Sequence, residues 1–202
     1  DGIDIGTELC CEYADKDYHI PKIFIINMVD KDQANYDLVL AALKARYGRT
    51  VFPFTLPVNP GPSFNQVADV LRKETFTFQA DGSGNYSEVA AEGDWEQKLE
   101  DLHNELIELI AESDESLMEI FFDKGELSED ELRSGLHQAL KSEGLIPVFC
   151  VAGESNIGVK RMMDIMAKYA PCAGDFEEVV GTKPGSDEEV IHGSSVSDPL
   201  AA

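Results

Sequence analysis

The 202 residues carry 16 Lys and Arg against 39 Asp and Glu, a net charge of -23 at pH 7, with 43% hydrophobic residues. That charge excludes direct nucleic acid binding, whose affinity comes from cations releasing the counterions of a phosphate backbone, and it favours a basic protein as partner. The length allows one large domain or two small ones with real cores; no apolar run approaches the roughly 20 residues that span a bilayer and nothing near the start reads as a signal peptide, so no membrane partner and a cytoplasmic location are expected.

The four cysteines, Cys10, Cys11, Cys150 and Cys172, show neither a C-x-x-C nor a His at metal-ligand spacing. They are expected as reduced thiols, with no metal site. The chain begins at Asp1-Gly2 without Met and ends on the extended Asp198-Pro199-Leu200-Ala201-Ala202, which reads as a piece of a longer protein.

In chain order, residues 5 to 17 form a predicted helix with Leu9, Tyr13 and Ala14 at helical spacing. Lys22-Ile23-Phe24-Ile25-Ile26-Asn27-Met28-Val29-Asp30 follows. Its apolar, largely β-branched run predicts a buried parallel strand over 22–27, greasy on both faces. Ligands of open α/β sheets sit just beyond such strand ends, which places Asn27 and Asp30 where a ligand is met. A plainer role stands beside it: Asp30-Lys31-Asp32-Gln33 fits a capping box opening the next helix, and the two roles are compatible because both use a carboxylate accepting N–H groups. That helix is expected over 32–47, with Tyr36, Leu40, Leu43 and Tyr47 on one stripe and Gly48 as a left-handed stop. Val51 to Val58 is strand-like, but its prolines confine it to an edge or to strand ends.

The texture then changes up to residue 145. A turn at Asn59-Pro60-Gly61-Pro62 precedes strand alternation at Thr75-Phe76-Thr77-Phe78, and Asp81 to Asn85 reads as a hairpin loop returning through Tyr86 to Val89. A helix over 94–112 carries Trp95, Leu99, Leu102, Leu106 and Ile110 as an apolar stripe, with acidic other faces that read first as solvated surface. A short helix from Leu117 to Phe122 ends at Gly125, and Ser128-Glu129-Asp130-Glu131 is a capping box opening a helix through Leu132, Leu136 and Leu140 to a stop at Gly144. Leu145 to Val151 is a second strand of buried type, and Val159, Met162, Met163 and Met166 mark a closing helix whose methionines read as core. Residues 174 to 197, acidic and Gly- and Ser-containing, read as a loose linker. The fold class is therefore α/β, with strand–loop–helix units at 22–47 and 146–169 bracketing an inserted segment.

Two tempting chemistries are weighed on spacing. Gly153-Glu154-Ser155-Asn156-Ile157-Gly158-Val159-Lys160 almost reads as a phosphate loop, but Val159 separates the second Gly from Lys160 and Arg161 stands where Ser or Thr would meet Mg²⁺. One residue of helix turns a side chain by about 100°, so Lys160 is expected to point away from a phosphate at the helix start. His19, His103, His137 and His192 are scattered without a local nucleophile or chosen carboxylate, so no catalytic residue is assigned.

The order of pieces resembles the GTPase domain of translation elongation factor G. The resemblance is carried by Gly6-Thr7-Glu8, Ile20-Pro21-Lys22, Phe24 to Asp30, Ala34-Asn35, Leu56-Pro57-Val58 with Gly61, Leu117-Met118-Glu119, Leu127-Ser128, Pro147-Val148, Asn156-Ile157-Gly158-Val159 and the closing Asp198 to Ala202. It implies a partial P-loop GTPase-type domain, its C-terminal half at 1–54 and 146–172, an inserted α+β subdomain at 55–145, and a linker at 173–202 leading to a next domain. It further implies that Asn27 and Asp30 belong to an Asn-Lys-x-Asp guanine-recognition motif, with Met28 in place of the Lys. Ala152 and Gly153 stand where the family has Ser-Ala, so the hydroxyl is absent while the backbone N–H groups toward the guanine oxygen remain. The implied cofactor is GTP or GDP, with the phosphate loop and Mg²⁺ ligands not among these residues, so that the chain as given is expected to be inactive in hydrolysis. The implied partner is the ribosome, with the acidic helix 94–112 facing a protein of the ribosomal stalk. A binding module with a vestigial nucleotide pocket is the alternative.

Overall fold

The computed structural model describes residues 2–18, 20–112, 114–125, 127–175 and 178–193; His19 and the closing Asp198 to Ala202 segment lie outside them. In chain order the elements are α1 (Ile5–Tyr13), continued by a π-helical turn over 14–18, β1 (Phe24–Ile26), α2 (Tyr36–Tyr47), β2 (Val51–Pro53), β3 (Thr55–Pro57), β4 (Gln66–Asp69), β5 (Glu74–Phe78) and β6 (Tyr86–Ala90). There follow α3 (Asp94–Ala111), α4 (Glu115–Lys124), α5 (Glu129–Lys141), β7 (Ile146–Cys150), α6 (Val159–Tyr169), a 3-10 turn (Ala173–Asp175), β8 (Glu178–Thr182) and β9 (Glu189–Gly193). The architecture is mixed α/β: a parallel sheet β1-β7-β2, an antiparallel sheet β3-β4-β5-β6 and a separate β8-β9 hairpin.

The buried centre of the parallel sheet is β7, whose five residues are all inside. Its alternating side chains serve two cores, as a period of two requires. Ile146 and Val148 join Cys11, Phe24, Leu43 and Val51 beneath α1 and α2, whereas Phe149 enters the larger core shared with the insertion; the alternation lapses at the strand end, where Cys150 joins that larger core too. The strand β1 is parallel to β7 as expected, but it is shorter than predicted and lies at an edge. Ile25, the register partner of Phe149, is 46% exposed because the insertion that covers Phe149 does not extend over β1.

The prolines of 51–58 act at edges, as their missing N–H demands, but the stretch divides between two sheets. At Phe54 the chain crosses over: its N–H donates to Val148 O (2.9 Å) and its carbonyl accepts from Val70 N (3.0 Å). The Phe54 ring meets Phe149 edge-on at 5.6 Å, so one core joins both sheets.

In the insertion, α3 buries Leu99, Leu106 and Ile110 with Trp95 and Leu102 at the margin, and α5 opens on the reciprocal Ser128–Glu131 capping box, both as read from the sequence. Gly135 in α5 lies so close to its neighbours that a Cβ would sit 2.4 Å from Leu117 Cδ1 and 2.6 Å from Ile110 Cγ2.

Several expectations are corrected. The helix expected over 5–17 is α1 with its π-helical turn; Leu9 and Tyr13 are exposed, and Cys11 is the buried contact through which it rests on β1 and α2. Helix α2 starts at Tyr36 rather than Asp32; its cap is Asn35, whose side chain accepts from Leu38 N (3.0 Å), so Asp30 caps no helix. The stop of α5 comes at Ser142 and Glu143, the latter at φ 59, ahead of Gly144. Met162 is core and Met166 packs against it, whereas Met163 is exposed. Within the segment expected to be a loose linker, β8 and β9 form a hairpin with five register pairs. All four cysteines are free thiols, Cys11 and Cys150 buried. No helix of the described residues is long and apolar enough to cross a membrane.

Candidate functional site

The parallel register Ile26↔Cys150 ends β1 and β7 at the same level, so the loops that leave them meet. The pairing continues one step beyond the strands, through Val151 N to Ile26 O (3.0 Å) and Val29 N to Val151 O (3.3 Å). Val29 is sunk in the larger core and its carbonyl accepts from Gly61 N (2.8 Å), which anchors the loop between two exposed residues and Asp30. Asn27 uses Oδ1 twice, accepting from Met28 N (2.8 Å) and from Gly153 N (3.0 Å). Two N–H donors on one atom assign the amide orientation and turn Nδ2 toward other partners. Met28 adopts a left-handed backbone, φ 61, with an exposed side chain.

Asp30 is mostly buried, and its Oδ2 accepts from Ser155 Oγ at 3.0 Å. Lys31 Nζ lies 3.7 Å from the same oxygen and 3.0 Å from Glu154 Oε2. The hydrogen bond to Glu154, aided by the charge of Asp30, holds the Lys31 ammonium above the ordinary lysine value. An oxygen of Asp30, Oδ1, has no partner among the described residues.

The second loop is a small closed structure. Ala152 and Ile157 exchange both backbone hydrogen bonds (3.0 and 3.1 Å), and Asn156 N donates to Gly153 O (3.3 Å). Gly158 ends it at φ 78, where a Cβ would meet Cys150 O at 2.6 Å, so both conformation and space require glycine. At Gly153 a Cβ would lie 3.5 Å from Asn27 Oδ1, an ordinary contact. The Ala152 and Gly153 amides are thus both engaged inside the protein. Lys160 lies over the Tyr86 ring (5.4 Å).

The structure therefore brings Asn27, Asp30, Ala152 and Gly153 together, and adds three residues that local spacing did not single out: Lys31, Glu154 and Ser155. The contacts that recruit them join positions 123 and 125 apart, which no sequence window spans. An amide beside a carboxylate suits the hydrogen-bonding edge of a planar heterocycle that offers paired N–H donors. Among the described residues no group of three or more His, Cys, Asp or Glu could hold a metal ion. His103 and His137 are engaged with the backbone carbonyls of Val70 (2.9 Å) and Tyr169 (3.1 Å). On α3, Glu96 and Glu108 are exposed, while Glu100 is paired with Lys73 at 2.9 Å.

No protein-family model matches the chain. It is 30% identical over all 202 residues to elongation factor G 2 of Syntrophus aciditrophicus, and spans 30% of the length of that relative. A crystal structure of a protein from Thermus thermophilus shares the fold with a TM-score of 0.77, over 86% of this chain and 26% of that one, at 23% identity.

Proposed function

We propose, from the premise that the chain is a distant homologue of elongation factor G corresponding to part of that protein, that it is the C-terminal half of a GTPase-type domain with its inserted subdomain. It would serve a translation factor that acts in ribosomal translocation in the cytoplasm. The observation that supports this reading is the meeting of Asn27 and Asp30 with the Gly153 loop at the ends of adjacent parallel strands.

Guanine fits that arrangement. Its ring N–H and exocyclic amine suit the Asp30 carboxylate, through Oδ1 and an Oδ2 shared with Ser155, while Asn27 Nδ2 suits a ring acceptor. Each charge-assisted bond contributes about 1.5–3 kcal/mol, enough to select the base. Met28 would cover the ring with a thioether but donates nothing. The 153–160 stretch departs from a phosphate-loop pattern, so on this reading the base contacts carry the binding of the nucleotide.

GDP titrated into the full chain, followed by calorimetry and backbone amide NMR, tests this. Shifts are expected at Asn27, Asp30 and Gly153, lost in Asp30→Ala, with an affinity weaker than micromolar and no GTP hydrolysis. Micromolar or tighter binding would overturn the expectation of weak binding, and shifts confined elsewhere would overturn the half-site. A complete absence of shifts favours the second reading, a protein-binding module with a vestigial pocket. That reading is supported by the way Asn27 and Asp30 tie the two loops together through Gly153 and Ser155.

The acidic face of α3 is proposed to meet a basic patch on a ribosomal stalk protein, which long-range attraction would steer. Charge reversal at Glu96, Glu100 and Glu108 should weaken stalk-protein binding and flatten its salt dependence; unchanged binding would exclude this face.

A further inference from the structure

We infer that the tip of the β5–β6 hairpin, residues 81–85, positions the loop 152–158 through Asn156, making Asn156 a positioning residue for the half-site. The contact joins residues 74 apart: Asn156 Nδ2 donates to Gly82 O at 3.2 Å. Gly84, at φ +71, faces the same side chain, and a Cβ there would come within 2.7 Å of Nδ2 and 3.1 Å of Cγ. The tip approaches this closely only because it carries glycine. Asn156 is itself left-handed at φ 54, a conformation that asparagine tolerates better than most residues.

From Asn156 the contacts run on without a gap. Its N–H donates to Gly153 O (3.3 Å), and Gly153 N donates to Asn27 Oδ1 (3.0 Å) at the end of β1. Three hydrogen bonds thus connect the hairpin tip to the first site residue.

The body of the hairpin is fastened independently to α6. Tyr86 packs against Phe76 and Phe78, with ring centroids 5.0 and 5.2 Å apart, and lies beneath Lys160. Arg161 Nε pairs with the buried Asp69 at 2.6 Å and covers Phe76. A hairpin held at its body by α6 and at its tip by the preceding loop fixes both ends of the segment that carries Gly153 and Ser155. Asp81 and Ser83 brace the tip from within, through Ser83 N to Asp81 (2.9 Å) and Asn85 N to Ser83 (3.2 Å). Coupling through such a chain is demonstrated by non-additivity, not by adjacency.

The effect on guanine contacts rests on the half-site reading above; the effect on the loop does not. Three variants of the full chain separate the two. Asn156→Gly keeps the left-handed backbone and removes the amide, Asn156→Asp keeps the shape and removes the donor, and Gly84→Ala pushes from the hairpin side. Each is expected to raise hydrogen exchange at the Gly153 and Ile157 amides about tenfold, the loss of one hydrogen bond, with the Asn156→Gly/Gly84→Ala double variant no worse than either single. Exchange at the wild-type rate in Gly84→Ala, protection retained in Asn156→Asp, or single effects that multiply in the double variant would each overturn the inference. With GDP added, shifts at Asn27 and Asp30 that shrink in the variants support the positioning role. Shifts of unchanged size refute it and leave the guanine reading standing. Altered exchange with no GDP shift in any variant or the wild type refutes the guanine reading and leaves the loop coupling standing.

Discussion

Asp69 ends β4 with no exposure, and its carboxylate accepts from Arg161 Nε at 2.6 Å and from Arg72 N at 2.9 Å. Arg161 is itself 13% exposed and stacks over Phe76 at 5.3 Å. Burial works against its charge, but the neighbouring Asp69 outweighs that and holds the guanidinium above its ordinary value. Asp69→Asn preserves the shape and the bond to Arg72 but strips the countercharge, leaving a buried cation. Removing one partner of a buried pair costs about 3–5 kcal/mol, and the retained Arg72 bond places this variant at about 3 kcal/mol. Arg161→Met strands the carboxylate instead and should cost about 4–5 kcal/mol. In the double variant neither charge remains, and the loss should fall to about 1–2 kcal/mol, since a neutral pair can replace a buried ion pair at little cost. Against a usual total stability of about 5–15 kcal/mol the single losses are large. Urea unfolding followed by circular dichroism, with the slope unchanged, would read the cycle. Single costs below about 1 kcal/mol, or costs that add in the double variant, would show that the pair is solvated and that the join between insertion and α6 is not electrostatic.

Gly135→Ala should destabilise the insertion by about 1–3 kcal/mol, because the added methyl overlaps Leu117 and Ile110 where both are buried; a neutral or stabilising result by thermal unfolding would mean that α5 can move away from α3 and α4 freely. Cys10 and Cys172 should be alkylated by maleimide in the native protein at neutral pH, whereas Cys150, its thiol pushed by burial up to about 12, and the buried Cys11 should react only after unfolding; mass spectrometry of the labelled peptides would show otherwise if β7 or α1 opens locally.

Much of the fold is legible in short windows. The α3 stripe, the Ser128–Glu131 box and the apolar run of β7 are local patterns with local causes, and each sits where its pattern places it. The errors share one origin. Asp32 looks like the start of the second helix, yet α2 begins at Tyr36, after Asn35, because the loop from β1 is drawn into contacts with distant segments first. Asp30-Lys31-Asp32-Gln33 satisfies a capping pattern, yet Ser155 engages the carboxylate and Asn35 caps the helix. Val51 to Val58 looks like one strand, and a crossover at Phe54, invisible in its composition, makes it two.

Chemical character at the site belongs to the primary structure: an amide and a carboxylate three residues apart after a β-branched run, a Met between them, and a glycine-bounded loop after the second strand. Folding supplies the pairing. Asn27 meets Gly153 across 126 positions, Asp30 meets Ser155 across 125, and Asn156 meets Gly82 across 74. Residue patterns report the periodicity of a helix or strand and the chemistry of its ends, whereas contacts between distant segments depend on which elements share a core. In this protein that core runs from Val29 through Phe54 and Phe149 to Ile165, and its shape sets which loops face one another.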